Sequence, residues 1–166
     1  MIRVAADADW AAILEVHRSA FGREEVPVLV ERLRAGRYDV PALSFVAEAD
    51  GRVVGSVLNS WVSVEGDERQ VLQLSPLGVL PEYQRRGIGS QLVRAALAGV
   101  RTFGEPLLIV EGNPRYYGRF GFVRADTLGL LPPPGTPAWA FQVAVLDDSV
   151  PLPTGRVVYS PPFRDV

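Results

Sequence analysis

Near the amino end, Trp10, Ile13, Leu14, His17 and Phe21 recur at the three-and-four spacing of one helix face. Asp7 or Asp9 can cap the first turn, so the pattern predicts a helix reaching about Ala20. A second helix over Glu24 to Ala35 turns Val26, Leu29, Val30 and Leu33 inward. The period then changes. "SFVAEADGRVVGSVLNSWVSV" reads as two strands joined at Asp50-Gly51, a pair suited to a tight hairpin. "EGDER" turns the chain again, and a third strand is predicted from about Gln70 to Val79. A helix from about Gly87 to Ala98 follows, with Ile88, Leu92, Ala95 and Ala96 on its buried side. "PLLIV" (106–110) is apolar throughout, as in a strand covered on both faces. Beyond the proline-rich "LPPPGTPAW", the runs "WAFQVAVL" and "GRVVYS" predict two closing strands.

This order is α+β: a mixed sheet flanked by helices, with one β–α–β crossover in the middle. No internal repeat or linker divides it, so a single domain over residues 1–166 is expected. Composition sharpens the picture by exclusion. At 166 residues, 48% hydrophobic and 22% charged, the chain can build an ordinary core. Its net charge of −2, without long runs of one sign, speaks against a nucleic-acid surface. The absence of cysteine removes disulfides, thiolate metal sites and cysteine nucleophiles. A single histidine, His17, leaves little for a catalytic triad or a metal site, and its place on an apolar stripe favours a packed structural role. No metal is expected. The first residues, "MIRVAADADW", lack a signal-peptide core, and no segment is long and apolar enough for a membrane span. The expectation is a soluble cytoplasmic protein. All 17 basic residues are arginine, so the side chains offer no amine to acylate.

The stretch "PEYQRRGIGS" (81–90) carries the chemistry. A helix start exposes unpaired N–H groups and the positive end of the dipole, which suits an anion. Glycine there lets a phosphate approach the backbone. The N–H groups of Arg86, Gly87, Ile88, Gly89 and Ser90 can form such a cradle, with Arg85 and Arg86 adding charge. A strand-to-helix turn that merely needs glycine explains "GIG" equally well. The Walker lysine and the hydroxyl residue after it are missing, and the dinucleotide fingerprint is incomplete. Upstream, Pro76 interrupts "LQLSPLGV", where proline is tolerated at edges and bulges. A bulge would draw this strand from "PLLIV" and leave backbone groups of Leu77, Gly78 and Val79 to pair with an extended ligand. A phosphate cradle beside a splayed strand suits a pyrophosphate with a long amide-bearing arm, the shape of coenzyme A.

"SPLGVLPEYQRRGIGSQLVRAAL" resembles the acetyl-CoA-binding motif of the GNAT superfamily of N-acetyltransferases, Gln/Arg-x-x-Gly-x-Gly/Ala, matching at Gln84, Gly87 and Gly89. "GNPRYYGRFGF" resembles that superfamily's next element, a tyrosine four residues before Gly-Phe; Tyr117 precedes Gly121-Phe122 by that spacing. The Asn-Pro-x-Tyr-Tyr form, with "GRVVYSPPF" near the end, is similar to the small bacterial YhbS-like branch. The resemblance covers nearly the whole chain and implies the acyl-CoA N-acyltransferase fold, with its central splayed sheet.

The implied reaction is direct transfer of acetyl from acetyl-CoA to a primary amine of a small molecule or peptide, in a ternary complex without an acyl-enzyme. A strand N–H near the bulge, from Leu77 or Val79, would polarise the thioester. Tyr117 matches the family's acid for the departing thiolate, with neighbouring Tyr116 as the alternative. Asn113 can reach the pantetheine arm or simply start an Asn-Pro turn. The amine must attack unprotonated, which is easier for an α-amine (pKa about 7.7–8.0) than for a lysine-type amine near 10.4. Relatives often place a carboxylate base on the central strand, but Gln73, Leu74 and Ser75 stand there, and Glu111 and Glu48 are distant candidates. That departure keeps a second reading, a non-catalytic acetyl-CoA or CoA-binding module. A nucleotide-binding protein using the same cradle is the third. Monomer and homodimer both stay open, as does the amine.

Overall fold

In the computed structural model, which describes residues 1–165, the chain forms a nine-stranded mixed sheet and four α-helices. Strand β1 is Ile2–Val4, and α1 (Trp10–Phe21) and α2 (Glu25–Ala35) follow. Then come β2 (Phe45–Ala49), β3 (Arg52–Val64), β4 (Gln70–Val79) and α3 (Ile88–Phe103). The remainder is β5 (Leu107–Glu111), α4 (Pro114–Tyr117), β6 (Val123–Arg124), β7 (Leu130–Leu131), β8 (Phe141–Val145) and β9 (Gly155–Val158). The chain divides into two compact units, and β3, β4 and α3 each contribute residues to both.

Among the described residues the first unit comprises 1–60, 74–96 and 162–165. Its hairpin closes at Asp50 and Gly51, both with positive φ (52° and 75°), which matches the right-handed twist of β2 and β3. Antiparallel β1 adds to β2, with Ile2 opposite Ala47. The core is the amphipathic face predicted for α2, where Val26, Leu29, Val30 and Leu33 are all buried. Ile13 and the strand residues Val46 and Leu58 join it. The inward face of α1 differs by a fraction of a turn from the sequence reading: Val16 is buried, while Phe21, at the helix end, is 41% exposed. Asp9 does not cap α1 either. Its carboxylate accepts from the Ala6 N–H at 2.7 Å and takes a bidentate grip from Arg3, which also holds Glu48. The Arg3 hydrogen bonds hold the Asp9 carboxyl below the usual range.

The second unit comprises residues 61–73 and 97–161. Here β4 pairs in parallel with β5 at Leu72↔Leu108 and Gln73↔Ile109, the two strands that α3 connects. Strand β8 runs antiparallel to β5 from Leu107↔Val145 to Glu111↔Phe141 and carries β6 on its other edge. The end of β3 pairs with β9, which pairs in parallel with β7. Apolar residues on both faces of β5 are buried, as the unbroken "LLIV" predicts, with Phe141, Val143 and Val157 packed nearby.

Candidate cofactor turn and tyrosine element

The strand end and the glycine turn lie together in the first unit. Within β4, Leu77 is half-buried, and Gly78 and Val79 are buried. A side chain at Gly78 would put its Cβ 3.0 Å from His17 Nδ1 and 3.3 Å from the Ala20 methyl, so α1 packs directly on this backbone. His17 itself is fully buried, and its Nε2 lies 3.1 Å from Ser56 Oγ. Burial lowers the imidazole pKa to about 3, which keeps it neutral and structural. Just past the strand, the Leu80 N–H donates to the Val54 carbonyl at 2.8 Å and ties this segment to β3.

The turn is built by local conformations. Pro81–Tyr83 forms a single 3-10 turn, and Arg85 and Gly87 both adopt positive φ (63° and 82°). Alternation of this kind converges successive N–H groups into a concave anion-binding nest. At this end of α3 the Gln91 N–H donates to the Gly87 carbonyl at 3.0 Å. The N–H groups of Ile88 and Gly89 therefore precede any intrahelical acceptor. Ile88 and Leu92 lie against Gly55 of β3, which seats the helix start on the sheet. Gln84 donates its side-chain amide to the Val79 carbonyl at 2.9 Å, so its side chain braces the turn against the strand end. Arg85 and Arg86 are exposed. The Arg86 guanidinium stacks 5.1 Å from the Tyr83 ring centre, and the Tyr83 hydroxyl donates to Asp50 at 2.7 Å. The helix start thus carries concave N–H groups, the dipole's positive end and two solvent-facing cations.

The tyrosine element belongs to the second unit. Asn113 caps α4: its Oδ1 accepts from the Arg115 N–H at 2.9 Å, the Asn-Pro turn role weighed from sequence. The Tyr117 ring lies across Gly112 and edge-on to Phe122 (5.6 Å) and Tyr116 (4.9 Å). Burial, assisted by Tyr116, raises its pKa to about 12. Tyr116 instead packs on Phe120, with Arg119 over its face. A network not read from the sequence sits nearby in chain pairing. The Tyr159 hydroxyl donates to Glu111 Oε2 at 2.9 Å and interacts with Gln73, whose own Oε1 is buried without a partner. Its members come from residues 73, 111 and 159, a separation that no local motif can signal. No cluster of three metal-ligating side chains exists among the described residues, and none of their helices is long and apolar enough to cross a membrane.

Residues 1–125 match the acetyltransferase (GNAT) domain. The chain belongs to the GNAT family of N-acetyltransferases. It is 36% identical to the uncharacterised N-acetyltransferase YhbS of Escherichia coli (strain K12) over 99% of this chain and 98% of that protein. Identity to a second E. coli protein, the uncharacterised N-acetyltransferase YjhQ, is also 36%, over 69% of this chain and 65% of YjhQ. The fold agrees with the crystal structure of E. coli YhbS in complex with CoA (TM-score 0.89, 35% identity, 98% and 91% of the two chains). It agrees likewise with a GNAT acetyltransferase from Brucella melitensis in complex with acetyl-CoA (TM-score 0.80, 32% identity, 98% and 97%). The resemblance read from "QRRGIGS" and "RYYGRFGF" is thus met in family and in fold.

Proposed function

We propose that this GNAT family member takes acetyl-CoA as co-substrate and acetylates a primary amine by direct attack in a ternary complex. The observation that carries the cofactor is the nest at Arg85–Gly89, whose N–H groups suit the pyrophosphate. Arg85 and Arg86 would add charge, the backbone of Arg86 to Ser90 would hold phosphate oxygens, and Leu77 to Val79 would pair with the amide arm. The two relatives solved with CoA and acetyl-CoA support the same choice. The N–H of Leu77 or Val79 is proposed to polarise the thioester carbonyl, and the amide NH2 of Asn113 to contact the pantetheine arm.

Tyr117 is proposed to stabilise the departing thiolate, and its acidity decides how. A phenol near 12 is protonated at any physiological pH, so it always has a hydrogen to donate. A thiol of ordinary acidity lies near 8.5. Full transfer from phenol to thiolate would run uphill by about 3.5 pKa units, roughly 5 kcal/mol. The useful role is therefore a hydrogen bond to the thiolate, with the amine's proton leaving by another route. Gln73 cannot take that proton; Glu111, hydrogen-bonded to Tyr159, stands on β5 two residues past Ile109, the strand partner of Gln73.

Calorimetric titration of acetyl-CoA tests the reading, with Gly89→Trp as the filled-cradle control and its thermal unfolding measured alongside. Binding to the native protein and loss in a folded Gly89→Trp is expected, followed by thiol release across a panel of primary amines. Binding without thiol release from any amine would instead support the CoA-binding module. Failure to bind acetyl-CoA would overturn both.

A further inference from the structure

A pocket of about 380 Å³ opens in the first unit, between the start of α1 and the chain that follows α2. Asp7, Trp10, Arg34, Arg37, Asp39 and Ser44 line it, none of them in β4 or the glycine turn. The backbone around it is tied down. Asp39 bridges to Ser60, the Val40 N–H donates to Asn59, and the Ala5 N–H donates to the Ser44 carbonyl at 2.8 Å.

Two side chains that line the pocket are buried with an unpartnered oxygen, and a third is charged and free of protein partners among the described residues; in the frame around them Asn59 Oδ1 and Ser60 Oγ are also without a partner. Asp39 is only 6% exposed, yet its Oδ2 accepts no hydrogen bond; Ser44 is 2% exposed, and its hydroxyl makes none. Each such buried group costs on the order of 1–3 kcal/mol, and apolar residues of similar size would avoid that cost. The third is Arg37, held at φ 58°, a left-handed conformation that is strained for a residue with a Cβ. Its guanidinium has no hydrogen bond or ion pair among the described residues. Arg34, by contrast, is engaged, stacked 4.0 Å over Trp10 with Asp7 Oδ1 at 3.4 Å.

The unpaired set has a polarity. An anion alone would engage the exposed Arg37 and leave Asp39 and Ser44 buried without a partner. A cation alone would satisfy those two and leave Arg37 unused. Asp7 is already paired with Arg34, whose charge also acts on Asp39, so Asp39 and Arg37 are the groups of opposite sign left to face a ligand with two charged ends. We propose that this pocket binds a small zwitterion of the α-amino-acid class, its ammonium on Asp39 and Ser44 and its carboxylate on Arg37. Trp10 and Pro41 supply the apolar part of the lining for the rest of the molecule. The volume is at the lower end of ordinary ligand sites, enough for one amino acid. The proposal does not depend on acetyl transfer.

The test is calorimetry on the full chain with each of the twenty L-α-amino acids in turn, and with acetate and methylammonium as separate halves. At least one amino acid should bind saturably, at least tenfold more tightly than either half. Arg37→Ala, at an exposed position, and Asp39→Asn should each weaken that binding tenfold or more. Both variants should keep the native unfolding midpoint and acetyl-CoA affinity. If Asp39→Asn fails to fold, Arg37→Ala alone decides. No saturable amino-acid binding would overturn the proposal and assign the pocket to water. So would an affinity matched by acetate alone, or one that Arg37→Ala leaves unchanged.

Discussion

Tyr117 shows how one side chain's surroundings set what it can do. Its ring is edge-on to two aromatics and largely withdrawn from water, so the neutral phenol is favoured up to about pH 12. A hydrogen bond to a charged acceptor contributes about 1.5–3 kcal/mol, so Tyr117→Phe should lower kcat roughly tenfold to a hundredfold. Acetyl-CoA affinity should hold within a factor of about three. Because the phenol does not ionise below about pH 11, the alkaline side of the kcat profile should keep its shape in the variant. Steady-state kinetics with calorimetry check all three. An equal fall in Tyr116→Phe with no fall in Tyr117→Phe would move the role to the neighbour. Legibility at this scale was uneven. Tyr117 stood out because a tyrosine and a Gly-Phe pair keep a fixed local spacing. The Tyr159–Glu111–Gln73 network and the Asp39 bridge to Ser60 did not, because their members lie far apart in the sequence and only the pairing of distant segments brings them together.

Elements were legible where a period had room to repeat. The hairpin at Asp50-Gly51, strand β4 and helix α2 appear within a residue or so of the sequence reading. Strands β1, β6 and β7, of three, two and two residues, are too short to show alternation. Helix α3 runs to Phe103, past the predicted Ala98, because Val100 continues its buried stripe. At α4 the element depends on one glycine. A Cβ at Gly112 would come within 2.5 Å of Tyr117 Cε2 and 3.1 Å of Cδ2, and Phe122 and Tyr116 hem in the ring. Gly112→Ala should therefore destabilise the protein by about 1–3 kcal/mol and reduce kcat, while leaving acetyl-CoA affinity near native. In a Tyr117→Leu background the smaller side chain can yield, and the stability loss should shrink by at least about 0.5 kcal/mol. Denaturant unfolding of the four proteins in this cycle measures that difference. Equal losses in both backgrounds would mean that the ring is not what the methyl meets.

Across the whole molecule, β3, β4 and α3 run through both compact units, so neither unit has its elements complete by itself. One cooperative unfolding transition is the expectation, and a single buried histidine then gives stability a defined pH dependence. His17 has a pKa of about 3 in the folded chain, because burial disfavours the imidazolium, against about 6.5 when unfolded. Between these values the unfolded chain binds the extra proton. Stability is therefore full above about pH 6.5 and declines as pH falls toward 3, with a slope of up to about 1.4 kcal/mol per pH unit. Carboxylates held low by arginine, such as Asp9 and Asp67, add to acid sensitivity only nearer their own range. Asp39 and Glu105, raised by burial, act in the opposite sense. Comparison with His17→Gln removes these shared contributions, since the amide can keep a bond to Ser56 without titrating. Urea unfolding from pH 7 to pH 4.5 should show the native protein losing stability relative to His17→Gln at every step down. Parallel curves would place the imidazole in contact with water, and the packing of α1 on Gly78 would then be looser than the 3.0 Å approach implies.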